Sequence, residues 1–276
     1  MIGTLLKHEA IRTRGFLLTI TAAALGLAAV GSALAVTGWP VLAQFGLVLG
    51  AIGAFGVLPA MQLALAVDYW RSSYGRIGYF TQSLPIRGSR IYWAKLAWAS
   101  IVVLIGLIAT LALWLLVMIA SAQTMFGTAP AVFLEQIGEV LRAAYAAAPW
   151  LVAVGAPATL LLLYIFNTVL YDAAASLGSE RWLQRLSWGG PVLVWFLLSA
   201  IAQLVMLGGI LAIPFGLGMT PAGVVGFVPV DMLGAMLGGT TDRQLMPIGF
   251  VPALLVVVPL LIWRTVHSWN HKVALA

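Results

Sequence analysis

FLLTITAAALGLAAVGSALAV, residues Phe16 to Val36, contains no Asp, Glu, Lys or Arg. At 1.5 Å per helical residue the run is long enough to cross a hydrocarbon core of about 30 Å. The whole chain has the same character. Of its 276 residues 62% are hydrophobic and only 8% are charged, and the mean hydropathy is +1.06. Soluble domains carry about 25% charged residues. No soluble fold hides this much apolar surface, so the sequence is that of an integral membrane protein. The net charge of +6 then reads as anchoring charge on one side of the bilayer, and no nucleic-acid partner is expected. There is no cysteine, hence no disulfide, thiolate metal site or thiol nucleophile.

Upstream of Phe16 lie Lys7, His8, Glu9, Arg12 and Arg14. Ile2, Leu5 and Leu6 share one helical face, and Glu9 falls on that face too. Residues 1–15 are expected to form an elbow helix lying on the inner leaflet. A disordered basic terminus is the alternative. A signal peptide, for which Ala33-Leu34-Ala35 would be the cleavage site, is disfavoured because h-regions run to about 7–15 residues.

Downstream, Gly38, Trp39 and Pro40 make a charge-free turn, so the spans over about 16–36 and 41–67 form an antiparallel hairpin. Further spans are expected over about 95–122, 149–171, 190–213 and 248–263. A charged loop, 68–94, carries Asp68, Arg71, Arg76, Arg87, Arg90 and Lys95. In the loop 123–148, Val132, Phe133, Ile137, Val140 and Leu141 recur at helical spacing and predict a short surface helix. The loop 172–188 holds Arg181, Trp182 and Arg185, on a short helix that Ser179 would cap. The segment 214–247 is rich in Gly and Pro yet still apolar. It reads either as a re-entrant element, with a short helix near Met232–Leu237, or as a surface-lying loop. The expected fold is all-α, with six transmembrane helices in a single permease-like domain. With the N-terminus inside, twelve of the fourteen Lys and Arg residues are cytoplasmic, and only Arg142 and Arg243 are outside. The positive-inside rule therefore places both termini in the cytoplasm.

The stretch from Gly78 to Lys95, GYFTQSLPIRGSRIYWAK, is the longest polar interruption on the charged side. Pro85 pushes Leu84 out of helix, so a small helix should end there, and the following span can restart near Ser89. This stretch resembles the first cytoplasmic loop of ABC exporter permeases of the second type. Gly78, Tyr79, Thr81, Leu84, Pro85, Arg87 and Lys95 carry the resemblance. Where many relatives have an acidic residue before the Gly-Tyr pair, this chain has Ile77. The resemblance implies a permease subunit working as a homo- or heterodimer in a cell membrane, such as the bacterial cytoplasmic membrane. Tyr79, Phe80, Gln82, Leu84, Pro85 and Arg87, supported by Arg181, Trp182 and Arg185, would receive the stroke of a separate soluble ATPase. That partner would bind ATP and Mg. No Gly-x-x-x-x-Gly-Lys-Ser/Thr loop is present, so no cofactor is expected in this chain.

Catalytic signatures are absent from the sequence: there is no His-Glu-x-x-His pair and no Gly-x-Ser-x-Gly elbow. Asp172 and Asp231 fall on opposite sides of the expected bilayer and cannot form a dyad. His267 and His271 sit one helical turn apart but lack acidic or Cys partners for a metal. Embedded amides remain. Gln62, Asn167 and Gln203 pair across helices or, with Met61, Phe166, Trp195 and Met206, line a substrate path. Gly46, Gly50, Gly53 and Gly56 are read as close-packing positions. With no embedded charge on that path, a hydrophobic or amphipathic cargo is expected: a drug, an antimicrobial peptide or a lipid-like molecule. The alternatives are an ion exporter of the same architecture, a lipid-modifying membrane enzyme, and an immunity or scaffold protein.

Overall fold

The computed structural model describes residues 2–75, 78–83, 85–181, 183–219, 225–229, 234 and 246–271. In chain order the elements are α1 (Ile2–Val36), α2 (Pro40–Ser73), α3 (Gly78–Gln82), α4 (Gly88–Phe126) and α5 (Pro130–Ala147). A π-turn (Leu151–Gly155) leads into α6 (Ala156–Gly178). A 3-10 turn (Gln184–Leu186) precedes α7 (Gly189–Ala212). Three strands follow, β1 (Phe215–Met219), β2 (Val225–Pro229) and β3 (Met246–Pro247), before α8 (Phe250–His271). Six helices among the described residues are long and apolar enough to cross a bilayer: α1, α2, α4, the π-turn with α6, α7 and α8. The chain is a multi-pass membrane protein.

The helices are longer than the apolar runs. No separate elbow over residues 1–15 exists, because α1 is continuous from Ile2 to Val36. Nothing in its charged first turns breaks a helix, and Gly15 alone costs only about 1 kcal/mol. Likewise α2 continues to Ser73 and α4 begins at Gly88, so the expected loop 68–94 contracts to residues 74–87. Asp68 and Arg71 belong to α2, and Arg90 and Lys95 to α4. The N-cap of α4 is Arg87, without a side-chain cap bond, rather than Ser89. The loop 172–188 contracts too, since α6 runs to Gly178 and Ser179 is its C-cap, not the N-cap of a new helix. Hydropathy reports how much helix lies in lipid. Lys, Arg and Glu are good helix formers and carry the helices past that boundary.

The all-α expectation fails between α7 and α8. There β1 pairs antiparallel with β2, Phe215 opposite Pro229 and Met219 opposite Val225, and with β3, Leu217 opposite Met246. The sheet order is β2-β1-β3. Phe215-Gly216-Leu217-Gly218-Met219 alternates large residues with glycine, the period of a strand. The expected re-entrant helix near 232–237 falls, apart from Gly234, outside the described residues.

Two compact units divide the chain. In the first, residues 1–73 with 80–141, helices α1, α2 and α4 pack around Ala28, Ala54, Val57, Met61, Val102 and Val117. Glycine brings α1 and α2 into backbone contact. A Cβ on Gly31 would strike the Gly50 backbone and lie 2.5 Å from the Gly46 carbonyl oxygen, and one on Gly53 would lie 2.8 Å from the Ala24 carbonyl oxygen. Gly46, Gly50 and Gly53 are thus packing positions as expected. Gly56 is not, with nothing within 4 Å of its would-be Cβ.

In the second unit, residues 74–79 with 142–276, α6 and α7 pack around Ala174, Leu183 and Val194, and α8 packs against both helices. A Cβ on Gly178 would strike the backbone at Pro191, and one on Gly209 would lie 2.6 Å from the Gly249 carbonyl oxygen. Glu180 is buried. It accepts from Arg264 Nη2 at 2.7 Å and from Ser268 Oγ at 3.1 Å, fastening the end of α6 to α8. Tyr74 donates to Ser176 Oγ at 2.8 Å.

Candidate functional site

Within the first unit, three helices turn polar faces toward one another at one level. Glu9, Arg12 and Thr13 are spaced by one turn on α1, Asp68 and Ser72 on α2, and Lys95 and Trp98 on α4. Arg12 forms ion pairs with Glu9 and, at 2.6 Å, with Asp68. Lys95 Nζ lies 3.1 Å from Glu9 Oε1 and donates to Ser72 Oγ at 2.8 Å. Trp98 Nε1 donates to Thr13 Oγ1 at 2.9 Å, and that hydroxyl donates to the Glu9 carbonyl oxygen.

Two carboxylates face two cations, so the cluster is electrically balanced. Lys95 is only 6% exposed and Thr13 is fully buried. At that depth the carboxylate and hydroxyl partners of Lys95 stand in for water. The cluster is also attached to the loop. Thr81 Oγ1, on α3, donates to the Ser72 carbonyl oxygen at 2.8 Å. A continuous polar chain therefore runs from α3 through Ser72 and Lys95 to Glu9, Arg12 and Asp68.

The residues expected to meet an ATPase are in part visible. Tyr79 is 66% exposed, and Pro85 and Arg87 are exposed. Leu84 and Trp182 lie outside the described residues, and only the backbone of Phe80 and Gln82 is described. Arg181 and Arg185 are exposed members of the second unit. The small helix expected to end before Leu84 is α3.

The seven residues of the expected substrate path divide between the units. Met61 and Gln62 are buried in the first, where Met61 borders an apolar groove of about 410 Å³ walled by Leu17, Leu18, Trp98 and Val102. In the second unit Phe166 is buried, Asn167, Trp195 and Met206 are half-buried, and Gln203 is exposed. Trp195 stacks on Tyr171 with ring centroids 5.9 Å apart. Of the seven, Met61 alone lines that groove.

His267 and His271 stack on each other, and His271 Nδ1 sits 3.2 Å from the His267 carbonyl oxygen. No group of three or more His, Cys, Asp or Glu side chains among the described residues is placed to hold a metal. Asp172 is buried within α6, and Asp231 lies outside the described residues.

The ion cluster was not anticipated as a unit, although the sequence held a signal for it. Glu9 interrupts the apolar face of the first helix. A carboxylate in such a place implies a buried cation opposite, here Lys95; Arg12, one turn along the same helix, is exposed. No family model matches the chain, and neither the curated proteins nor the solved structures yield a match.

Proposed function

We propose that the chain is the permease subunit of an ATP-driven exporter of the second ABC type, moving hydrophobic or amphipathic molecules out of the cell. The observation that carries this reading is α3. It is a five-residue helix with an exposed tyrosine, set between two spanning helices and anchored by Thr81 to a half-buried ion cluster. A scaffold protein has no use for such an element. An energy-coupling subunit needs one: a small surface for a soluble ATPase, backed by bonds that carry displacement into the spanning helices.

In this reading both termini and residues 74–87 are cytoplasmic, as the distribution of Lys and Arg favours. The ATPase is a separate polypeptide that binds ATP and Mg. Its movement is passed from α3 to Ser72 on α2, then through Lys95 to α4 and through Glu9 to α1. Two such permease subunits, identical or not, make the working membrane complex in a cell membrane of bacterial type. The cargo class follows from charge. Of the ionic groups near the spans, Glu9, Arg12, Asp68, Lys95, Glu180 and Arg264 are engaged with one another. Beside Arg14, which lines the Met61 groove, what remains for cargo is amide, Met and aromatic surface, which suits an amphipathic molecule better than an ion.

The test is a sensitivity assay in cells that normally make the protein. Cells lacking it, and cells carrying Leu84→Asp, should both become more sensitive to an amphipathic toxin, while the variant still inserts normally. The expectation rests on an unpaired carboxylate disrupting an apolar contact with the ATPase. A change in salt tolerance alone, with no change toward any amphipathic compound, overturns the cargo assignment in favour of ion export.

A further inference from the structure

Helix α5 buries no residue, although it is eighteen residues long and strongly two-faced. Phe133, Ile137, Val140, Leu141 and Ala144 fall on one side by helical spacing, while Glu135, Glu139 and Arg142 fall on the other. Val140 is 67% exposed, and Leu134, Leu141 and Tyr145 are also open. Apolar surface of this extent on one helix marks an interaction face.

The ends of α5 decide what covers that face. Only Gly127, Thr128 and Ala129 separate it from spanning helix α4, and only Ala148, Pro149 and Trp150 from the span that begins at Leu151. Gly127 adopts a left-handed conformation (φ 65°), its N–H donates to the Gln123 carbonyl oxygen and the Thr128 N–H to that of Ala122, so α4 stops sharply there. Three residues reach about 10 Å at most. Both ends of α5 are therefore held within about 10 Å of the ends of two consecutive spanning helices, which emerge on the same side of the bilayer. The helix is about 27 Å long. A rod pinned near the surface at both ends lies along it. Phe126 and Trp150, both exposed, flank it in sequence and are the kind of residue that gathers at a membrane interface, and Phe126 stacks on Phe133 at the start of α5.

We infer that α5 is an interfacial helix whose Phe133–Val140–Leu141 face is seated in the leaflet at the α4–α6 end of the spans, with Glu135, Glu139 and Arg142 turned to water. The occupant of the apolar face is lipid. This rests on the six spans alone and stands whether or not the protein is an exporter.

The chain has no cysteine, so single cysteines at positions 135, 139, 140 and 141 can carry an environment-sensitive fluorophore in full-length protein. The protein is reconstituted in phosphatidylcholine vesicles with or without lipid bearing a spin label high on its acyl chain. Labels at Val140→Cys and Leu141→Cys should be quenched by the spin-labelled lipid at least roughly threefold more than labels at Glu135→Cys and Glu139→Cys, and should resist aqueous iodide. Equal iodide access at all four positions would show a helix standing in water and overturn the inference. Shielding of 140 and 141 without lipid quenching would assign the face to protein and overturn it equally. Cross-linking of Val140→Cys between two chains would then identify a second copy as the occupant.

Discussion

Glu9 and Lys95 are the residues on which the account turns. Lys95 is balanced by Glu9 and held by Ser72, and Glu9 is shared between Lys95 and Arg12. Removing one member of a buried pair leaves the other without compensation, whereas removing both leaves an uncharged contact. Lys95→Met should therefore destabilise the detergent-solubilised protein by on the order of 3 kcal/mol. The double variant Glu9→Gln with Lys95→Met should be less destabilised than the sum of the two single variants. Thermal melts of the four proteins give the coupling directly, and strict additivity would show that the pair does not act as a unit. The sequence announced half of this pairing. Glu9 stood out as a charge on an apolar face, and Lys95 as a cation at the head of a span. Their partnership was not legible, because contact between residues 86 positions apart depends on how α1 and α4 pack rather than on any local pattern.

At the scale of elements, hydropathy located every spanning helix and misplaced most of its ends. Charged residues that leave the bilayer do not leave the helix, which is why α1 absorbs the expected elbow and α2 and α4 shorten the loop between them. Strand β1 was legible in principle, as alternating glycine and large apolar residues, but the apolar character of 214–247 drew the reading toward membrane elements. The glycines of α2 show what composition leaves unresolved. Gly46, Gly50, Gly53 and Gly56 look alike in sequence, yet the first three meet α1 or α4 and the last meets nothing. Gly31→Ala and Gly53→Ala should each lower stability by roughly 1–3 kcal/mol, because the new methyl group meets backbone that cannot rotate away. Gly56→Ala should be neutral or slightly stabilising, since alanine is the better helix former. Equal effects at positions 53 and 56 in a denaturant or thermal titration would contradict the α1–α2 packing.

For the whole molecule, the sequence predicts six spanning helices with the positive charge on one side, and the structure supplies six helices long and apolar enough to span. Sidedness and coupling belong together in the functional proposal, because a partner ATPase can reach only residues on the cytoplasmic face. The exposed tyrosine of α3, Tyr79, lies on the side assigned to the cytoplasm. Trp39, 69% exposed in the turn between α1 and α2, lies on the side assigned to the exterior. A photo-activatable amino acid placed at each position in the full-length protein, in intact cells, tests both assignments in one experiment. The account predicts that position 79 yields a covalent adduct with a soluble ATP-hydrolysing protein, and that position 39 yields none. An adduct with that ATPase at position 39, or its absence at 79 while the protein is present and inserted, would contradict the coupling role of α3.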